Sequence, residues 1–238
     1  MASGRLEIKR DARRALDAIR SGGIAILPMD VGYSLIASRG EALERIFAAK
    51  QRAPTKYNAM LGSLETSREL HDLTAEQRDF VEAVICDHDL PLGIIAPVCA
   101  THPLLRALDP LAARRSLYRG TVCTLLNAGP FHAEICALSL AECVPLFGSS
   151  ANRSMQGTKF RVEDIEADIR EIADVTIDYG LRKYHPYGAS STLIDMTTMT
   201  VVRRGSCFEL IEDVALRYFG CALTEASLEL EAAQADAG

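Results

Sequence analysis

The sequence lacks any apolar run that approaches the roughly 20 residues needed to span a bilayer. Residues 1–20 alternate charged side chains with Ala, Leu and Ile, so they also lack the continuous apolar core of a secretory signal peptide. These absences predict a cytoplasmic protein that makes no contact with a membrane.

The sequence also lacks the closely spaced cysteine or histidine pairs that are typical of metal sites and of redox-active disulfides. The seven cysteines include no Cys-x-x-Cys pair, and the five histidines include no His-x-x-x-His pair. We therefore expect no metal site built from protein side chains. Because the number of cysteines is odd and several lie in apolar segments such as 121–126, we expect buried, reduced thiols.

The chain has no excess of positive charge, since 26 Lys and Arg stand against 32 Asp and Glu and give a net charge of -6. The protein as a whole is not expected to attract nucleic acid, although a local basic cleft is compatible with this total. One segment is rich in arginine, at Arg106, Arg114, Arg115 and Arg119. It is either a solvated helix face or a surface that binds RNA.

No internal repeat or low-complexity linker divides the 238 residues, which are enough to bury a substantial core. Short apolar runs interleaved with helical patterns predict a single α/β domain over residues 1–222, followed by a frayed or disordered tail over 223–238. The predicted helices are 11–20, 41–50, 74–86, 104–119, 133–142 and 162–171. The predicted strands are 24–27, 34–37, 59–62, 92–98, 121–126, 144–147, 175–178, and a closing hairpin of 192–195 with 200–203.

Two short segments carry the groups that suit an anionic ligand. Gly148 to Ser154 places small hydroxyl and amide side chains after an apolar run, which indicates a polar loop at the end of a strand. Lys50 and Arg52 follow a predicted helix about a hundred residues earlier. Paired cations and small polar groups favour a site for a phosphorylated or carboxylated ligand.

The order of these and other motifs resembles the YrdC-like family, whose best-known members are threonylcarbamoyl-AMP synthases. The resemblance runs from about Ser21 to Ser206. The family's P-T-[DE]-T-x-Y-G-L motif, which follows an apolar strand, falls on Pro28 to Leu35. The other matched motifs are K-x-R at 50–52, N-P-L at 58–60, P-L-T at 91–93, G-T-V at 120–122, S-A-N-x-S-G at 150–155, S-T-[VI]-[VI]-D at 191–195 and L-R-P-G at 202–205.

The resemblance implies a twisted mixed sheet with flanking helices around a concave, basic cavity. It further implies an ATP-dependent nucleotidyl transfer that joins threonine, bicarbonate and ATP into threonylcarbamoyl-AMP and releases pyrophosphate. ATP would bind with Mg²⁺ held through its phosphates, and indeed no G-x-x-x-x-G-K-[ST] loop is present. The product would feed a tRNA modification, so RNA or tRNA-modification proteins are expected partners besides the small substrates.

The same resemblance assigns roles to individual residues. Lys50 and Arg52 would be catalytic, neutralising phosphate and carboxylate oxygens. Ser150, Asn152 and Arg203 would bind the nucleotide. Three further residues would bind the other substrates: Asp30, Tyr33 and Ser191.

The chain departs from the family pattern mainly on the amino-acid side. Met29 and Val31 replace the two threonines of P-T-[DE]-T, Gly93 replaces the threonine of P-L-T, and Leu125 stands near a usual arginine. A pocket that loses hydroxyl partners discriminates poorly for threonine. Two alternatives therefore stay open: an enzyme that adenylates or carbamoylates a different substrate, and a non-catalytic module that binds nucleotide or RNA.

Overall fold

The computed structural model describes residues 6–53 and 55–225, which fold as one mixed sheet with helices on both faces. The strands are β1 Ala25–Met29, β2 Gly32–Ala37, β3 Ala59–Leu61, β4 Leu92–Pro97, β5 Thr121–Leu126, β6 Phe147–Ser150, β7 Val175–Thr176, β8 Thr192–Asp195, β9 Thr200–Arg203 and β10 Thr224–Glu225. The helices are α1 Ile8–Arg20, α2 Gly40–Lys50, α3 Leu64–Leu70, α4 Ala75–Glu82, α5 Pro103–Arg106, α6 Pro110–Ser116, α7 Pro130–Glu142, α8 Ala167–Glu171 and α9 Phe208–Phe219.

The strand order is β10-β9-β8-β4-β5-β3-β6-β2-β1-β7. Neighbours pair antiparallel at β1–β2, β2–β6, β3–β6, β4–β5 and β8–β9, and parallel elsewhere. The predicted mixed α/β sheet and its closing hairpin β8–β9 are confirmed.

Helices cover most of one face of the sheet. Residues of α2 and α6 pack against the part formed by β2 and β6, over side chains such as Leu35 and Phe147. Residues of α4 and α9 cover the β4, β5 and β8 part, over Ile94 and Ile194. On the opposite face α1 and α7 pack together on β1 and on the neighbouring part of the sheet. That second helical layer stops short of β8 and β9, which leaves room for a cleft.

Local chemistry explains where several helices begin. The capping box predicted for α4 is present: Gln77 N donates to Thr74 Oγ1 at 3.2 Å, and Thr74 N donates to Gln77 Oε1 at 2.9 Å. The prediction of a single helix over 104–119 is wrong, because this segment forms the two short helices α5 and α6. Pro110 has no N–H to continue a helix, and the Asp109 carboxylate instead caps α6 by accepting from the N–H groups of Leu111 and Ala112.

Other predicted elements shift or shorten. The strand predicted over 144–147 begins only at Phe147, because Cys143 ends α7 in the left-handed region and the following segment leads into the sheet. Ser149 and Ser150 therefore lie within β6 and not in a loop after it. The helix predicted over 162–171 consists of a 3-10 turn, Val162–Asp164, and the short α8.

All seven cysteines are free, and the expectation that they are buried holds for only some of them. Cys136 and Cys207 are buried, whereas Cys86 and Cys99 are exposed. Of the predicted tail, Thr224–Glu225 pairs in parallel with β9, and residues 226–238 lie outside the described residues. In the described part of the chain, no helix is long and apolar enough to cross a membrane.

Candidate functional site

A cleft lies on the face that α1 and α7 leave partly open, and it spans seven neighbouring strands from β9 to β2. Its volume is about 560 Å³ when the open space at its mouth is included. Its lining residues are Ser34, Ile36, Ala59, Leu61, Gly93, Cys123, Leu125, Gly148, Ser149, Ser150, Ser190, Ser191, Leu193 and Arg203.

Strand register explains why these residues meet. Side chains alternate between the two faces of a strand, so residues two apart share a face. Most of the lining residues also lie directly opposite one another on neighbouring strands. The cross-strand pairs that line the cleft are Ser34–Ser150, Ile36–Gly148, Ala59–Gly148, Ala59–Cys123, Leu61–Leu125, Gly93–Leu125, Gly93–Leu193 and Leu193–Arg203.

Small residues keep the middle of this surface open. Ala59, Gly93, Cys123 and Gly148 occupy the lining positions of four adjacent strands, where larger side chains would fill the cleft. Gly148 has no room for any side chain, because an added Cβ would lie 1.8 Å from the carbonyl oxygen of Leu35. The cleft therefore follows from residue size at defined register positions.

At one end of the cleft, the end of α2 is joined to the end of β6. The buried Lys50 ammonium donates to the carbonyl oxygen of Ser150, and it lies 3.5 Å from both Ser150 Oγ and Asn152 Oδ1. The carbonyl oxygen of Lys50 accepts a hydrogen bond of 3.1 Å from Ser154 N. The two segments singled out in the sequence, a hundred residues apart, thus meet beside a residue that lines the cleft.

Three cationic side chains, Lys50, Arg52 and Lys56, are buried behind this end of the cleft and do not line it. Burial, and then the charges of Arg52 and Lys56, lower the pKa of Lys50 well below its usual value, and Glu166 opposes that shift. Arg52 is also buried, donates to the carbonyl oxygen of Tyr57 at 2.6 Å, and lies over the ring of Phe47. Such a cluster gains stability when an anion binds nearby.

The opposite end of the cleft contains Arg203 and Ser191. Arg203 donates to the carbonyl oxygen of Ser191 through Nε at 3.2 Å and Nη2 at 3.0 Å. Burial lowers the pKa of Arg203 and raises that of the neighbouring Cys123 thiol to about 11. Among the described residues that line the cleft, Arg203 is the only charged side chain.

Asp30 and Tyr33, predicted to bind substrate, do not line the cleft. Asp30 forms a buried ion pair with Arg182 at 2.8 Å. Tyr33 is fully buried, and its hydroxyl donates to Asp178 Oδ1 at 3.0 Å or to the carbonyl oxygen of Gly180 at 2.8 Å. These contacts hold the β1–β2 hairpin against the 178–182 segment and leave both residues apart from the cleft.

Met29 and Val31 also lie in the core, packed with α1 and α7. The replacement of threonine at these two positions therefore does not change the surface of the cleft. The departures that do face the cleft are Gly93 and Leu125. Their position depends on the pairing of β4 with β5, which the sequence does not reveal.

Sequence reasoning missed Ser34, Cys123 and Lys56. The predicted strand 34–37 begins one residue after Tyr33, whereas the observed β2 begins at Gly32 and so contains both residues; with those bounds, strict alternation places Tyr33 and Ser34 on opposite faces. Cys123 had a similar signal, since it lies in the middle of a predicted strand. Lys56 lies in an irregular segment, and nothing in the sequence indicates that it is buried beside Lys50.

Several known structures resemble this chain. A hypothetical protein, smu.1377c from Streptococcus mutans UA159, superposes with a TM-score of 0.75 at 24% identity over 94% of this chain and 95% of that one. P. abyssi Sua5 complexed with L-threonine gives a TM-score of 0.69 at 22% identity, over 93% of this chain and 64% of Sua5. HypF in a phosphate- and nucleotide-bound form gives 0.58 at 15% identity, over 78% of this chain and 27% of HypF.

These likenesses, all below 25% identity, establish the fold. A search of curated protein sequences finds no significant match. The family model Sua5/YciO/YrdC, described as telomere recombination, matches residues 17–205 and so covers most of the chain, including both ends of the cleft. The chain therefore belongs to the Sua5/YciO/YrdC family, as the resemblance of its motifs predicted.

Proposed function

We propose that the protein is a nucleotidyltransferase that uses ATP to adenylate a carbamate formed from bicarbonate and an amine-bearing substrate. The observation that carries the proposal is the contact between the end of α2 and the end of β6. There Lys50 contacts Ser150 and Asn152, and Arg52 and Lys56 lie close by. A buried group of cations at the end of a cleft suits a polyphosphate, because binding relieves their mutual repulsion.

The residues divide into two sets by position. Lys50 and Arg52 would neutralise the phosphates, with Arg52 contributing a planar guanidinium and Lys50 a point charge. Ser150 and Asn152 would hydrogen-bond the same phosphates. Arg203 and Ser191, at the other end, would hold the nucleoside or the second substrate.

The chemistry requires little covalent participation by the protein. A carbamate oxygen attacks the α-phosphorus of ATP, the new O–P bond forms, the bond from the α-phosphorus to the bridging oxygen breaks, and pyrophosphate leaves with that electron pair. Positioning and charge neutralisation dominate such a transfer. Lys50, Arg52 and Lys56, which are buried behind the Ser150 end of the cleft, would stabilise the charge that develops on the pyrophosphate.

Magnesium would enter with the substrate. In the described part of the chain no group of three or more His, Cys, Asp or Glu side chains could hold a metal ion. Lys50 and Arg52 suit the phosphates of an ATP molecule that carries its own Mg²⁺, so the proposal needs no metal ion bound by protein side chains. When bound, the ion would neutralise phosphate charge together with Lys50 and Arg52.

Two relatives support the choice of ligands. The HypF structure was obtained with phosphate and nucleotide, and the Sua5 structure with L-threonine. Threonylcarbamoyl-AMP, which would feed a tRNA modification, is the product that the family resemblance favours. The Gly93 and Leu125 positions favour a different amine.

A nucleotide- or RNA-binding module without catalysis is the second candidate. It is favoured by the exposed cations Arg106, Arg114 and Arg119, the last of which lies over the Tyr118 ring at 5.2 Å. Arg115 is less exposed and pairs with Glu44 at 2.7 Å, and Arg114 lies 3.8 Å from the same carboxylate. Such a surface would bind RNA with strong salt dependence.

Pyrophosphate release from ATP, with Mg²⁺ and bicarbonate, distinguishes the two candidates. If the protein is a nucleotidyltransferase, pyrophosphate release requires both bicarbonate and an amine and is lost in Lys50→Met. Salt-dependent RNA binding with no pyrophosphate release under any of these conditions would contradict the nucleotidyltransferase and support the binding module.

A further inference from the structure

Buried polar atoms that lack a hydrogen-bond partner gather at one place in the protein. Among the uncharged side chains of the described residues, three carry such atoms: Asn58 at Nδ2 and Oδ1, and Ser116 and Ser149 at Oγ. Asn58 is fully buried, and Ser116 and Ser149 are 1% and 9% exposed. A polar atom that has lost water and gained no partner destabilises the fold, so such atoms are rare. A group of them suggests a function that offsets this cost.

Backbone contacts place the three residues side by side. Asn58 N donates to the carbonyl oxygen of the residue before Ser116 at 2.8 Å. In the antiparallel pairing of β3 with β6, Ala59 lies opposite Gly148, so the next residues outward, Asn58 and Ser149, are neighbours. Because Ala59 and Gly148 face the cleft, alternation turns the side chains of Asn58 and Ser149 to the other face of the sheet, where α2 packs.

The buried cations lie at the same place. Lys50, the last residue of α2, donates to the carbonyl oxygen of the residue after Ser149. The Arg52 guanidinium donates at 2.6 Å to the carbonyl oxygen of the peptide bond that precedes Asn58. Lys56, two residues before Asn58, is buried as well. Neutral oxygen atoms that can accept hydrogen bonds therefore lie beside three buried donors of positive charge.

A bound polyphosphate changes the hydrogen bonds that these cations need. An ammonium has three N–H donors and a guanidinium has five, and a phosphate oxygen uses only some of them. A buried cation is stabilised only when its remaining donors also find acceptors. Asn58 Oδ1 and Ser149 Oγ are acceptors on the protein side of the cations, where they can hold Lys50 and Arg52 in the orientation that the phosphates require.

We propose that Asn58 and Ser149 are positioning residues of the polyphosphate site, and that their oxygen atoms accept hydrogen bonds from Arg52 and Lys50 once the phosphates are bound. They act through the two cations and do not touch the ligand. The proposal rests on the proposed function, because it adds an inner layer to the same site. The unpartnered atoms then lower the stability of the free protein and contribute to binding.

Asn58→Leu tests the proposal on the full-length protein, because leucine has nearly the shape of asparagine and no polar atom. Removal of a buried, unpartnered amide should raise the midpoint of urea denaturation. Isothermal titration should show that Mg²⁺-ATP binds roughly 10-fold more weakly or worse, the effect of one lost hydrogen bond to a charged group. AMP, which lacks the two terminal phosphates, should lose less affinity than ATP. A residue that served only the fold would not produce this combination.

Ser149→Ala is a second variant with the same expected pattern, and it removes a single oxygen atom from the core. Ser139→Ala is the matched control, since the Ser139 hydroxyl is also buried but donates to the carbonyl oxygen of Val144 at 2.6 Å. The control should lower the denaturation midpoint, because it removes a hydrogen bond that is made, and it should leave ATP binding unchanged.

Wild-type ATP affinity in both Asn58→Leu and Ser149→Ala would overturn the positioning role and leave the proposed function intact. Weaker ATP binding together with a lowered denaturation midpoint would also overturn it, because the two side chains would then serve the fold. Failure of the wild-type protein to bind Mg²⁺-ATP would instead contradict the proposed function, so the two failures are distinguishable.

Discussion

Replacement of Lys50 by methionine separates the role of this residue in binding from any role in folding. The Lys50 ammonium is buried against Ser150 and Asn152, and the nearby charges of Arg52 and Lys56 oppose its protonation. Methionine keeps the length of the side chain and its aliphatic contacts. It removes only the charge and the hydrogen bonds.

The expected loss of affinity follows from one charge-assisted hydrogen bond. Such a bond contributes about 1.5–3 kcal/mol, so Lys50→Met should weaken binding of Mg²⁺-ATP by roughly 10- to 150-fold. The folded state should lose little, because relief of burial and repulsion offsets the lost bonds to Ser150 and Asn152. We expect the free energy of unfolding to change by no more than about 1 kcal/mol.

Isothermal titration measures the change in ATP affinity, and urea denaturation separately measures the change in the free energy of unfolding. Lys9→Met is a matched control, since Lys9 is exposed on α1 and should leave both quantities unchanged. Because burial and the charges of Arg52 and Lys56 lower the pKa of Lys50 in the free protein, a polyphosphate bound beside it should raise that pKa again. Equal ATP affinity in Lys50→Met and wild type would refute the reasoning.

Three further predictions concern the fold. His71 and His132 are buried, which lowers the pKa of each to about 4, so only the unfolded chain takes up protons between pH 6.5 and 4. The contribution of these two histidines to the free energy of unfolding should be complete above pH 6.5 and should fall by roughly 3 kcal/mol per histidine as the pH drops to 4. Urea denaturation at several pH values measures this, and an unfolding free energy that does not change with pH contradicts it. Gly148→Ala should cost about 3 kcal/mol or more, because its Cβ would collide with the Leu35 carbonyl on the paired strand, and a cost below 1 kcal/mol would exclude that collision. Thr74→Ala should lower the thermal midpoint, at a cost of about 1 kcal/mol, through loss of the α4 cap, whereas Thr74→Ser should not.

Local sequence signals predicted the parts of the fold that depend on neighbouring residues. The α4 capping box and the β8–β9 hairpin are of this kind, because each is decided within a few residues. Residue types and the resemblance both suggested that Lys50 and the segment around Ser150 serve one site, but no local rule relates positions a hundred residues apart, and only the fold shows that they meet.

Contacts between distant residues decide several positions that local patterns do not give. Tyr33 belongs to a matched motif, yet Asp178 and Gly180 bind its hydroxyl and hold it in the core. The start of β6 at Phe147 depends on pairing with β2 and β3. The apolar change in the cleft could not be assigned to Leu125 until strand register placed it there.

A crystal structure of the protein with Mg²⁺ and a non-hydrolysable ATP analogue tests the central claim most directly. The account predicts phosphate oxygens within hydrogen-bond distance of Lys50, Arg52 and Ser150, with the nucleotide extending along the cleft toward Arg203. A nucleotide bound elsewhere on the protein, with the Lys50–Ser150 contact unchanged, would contradict it.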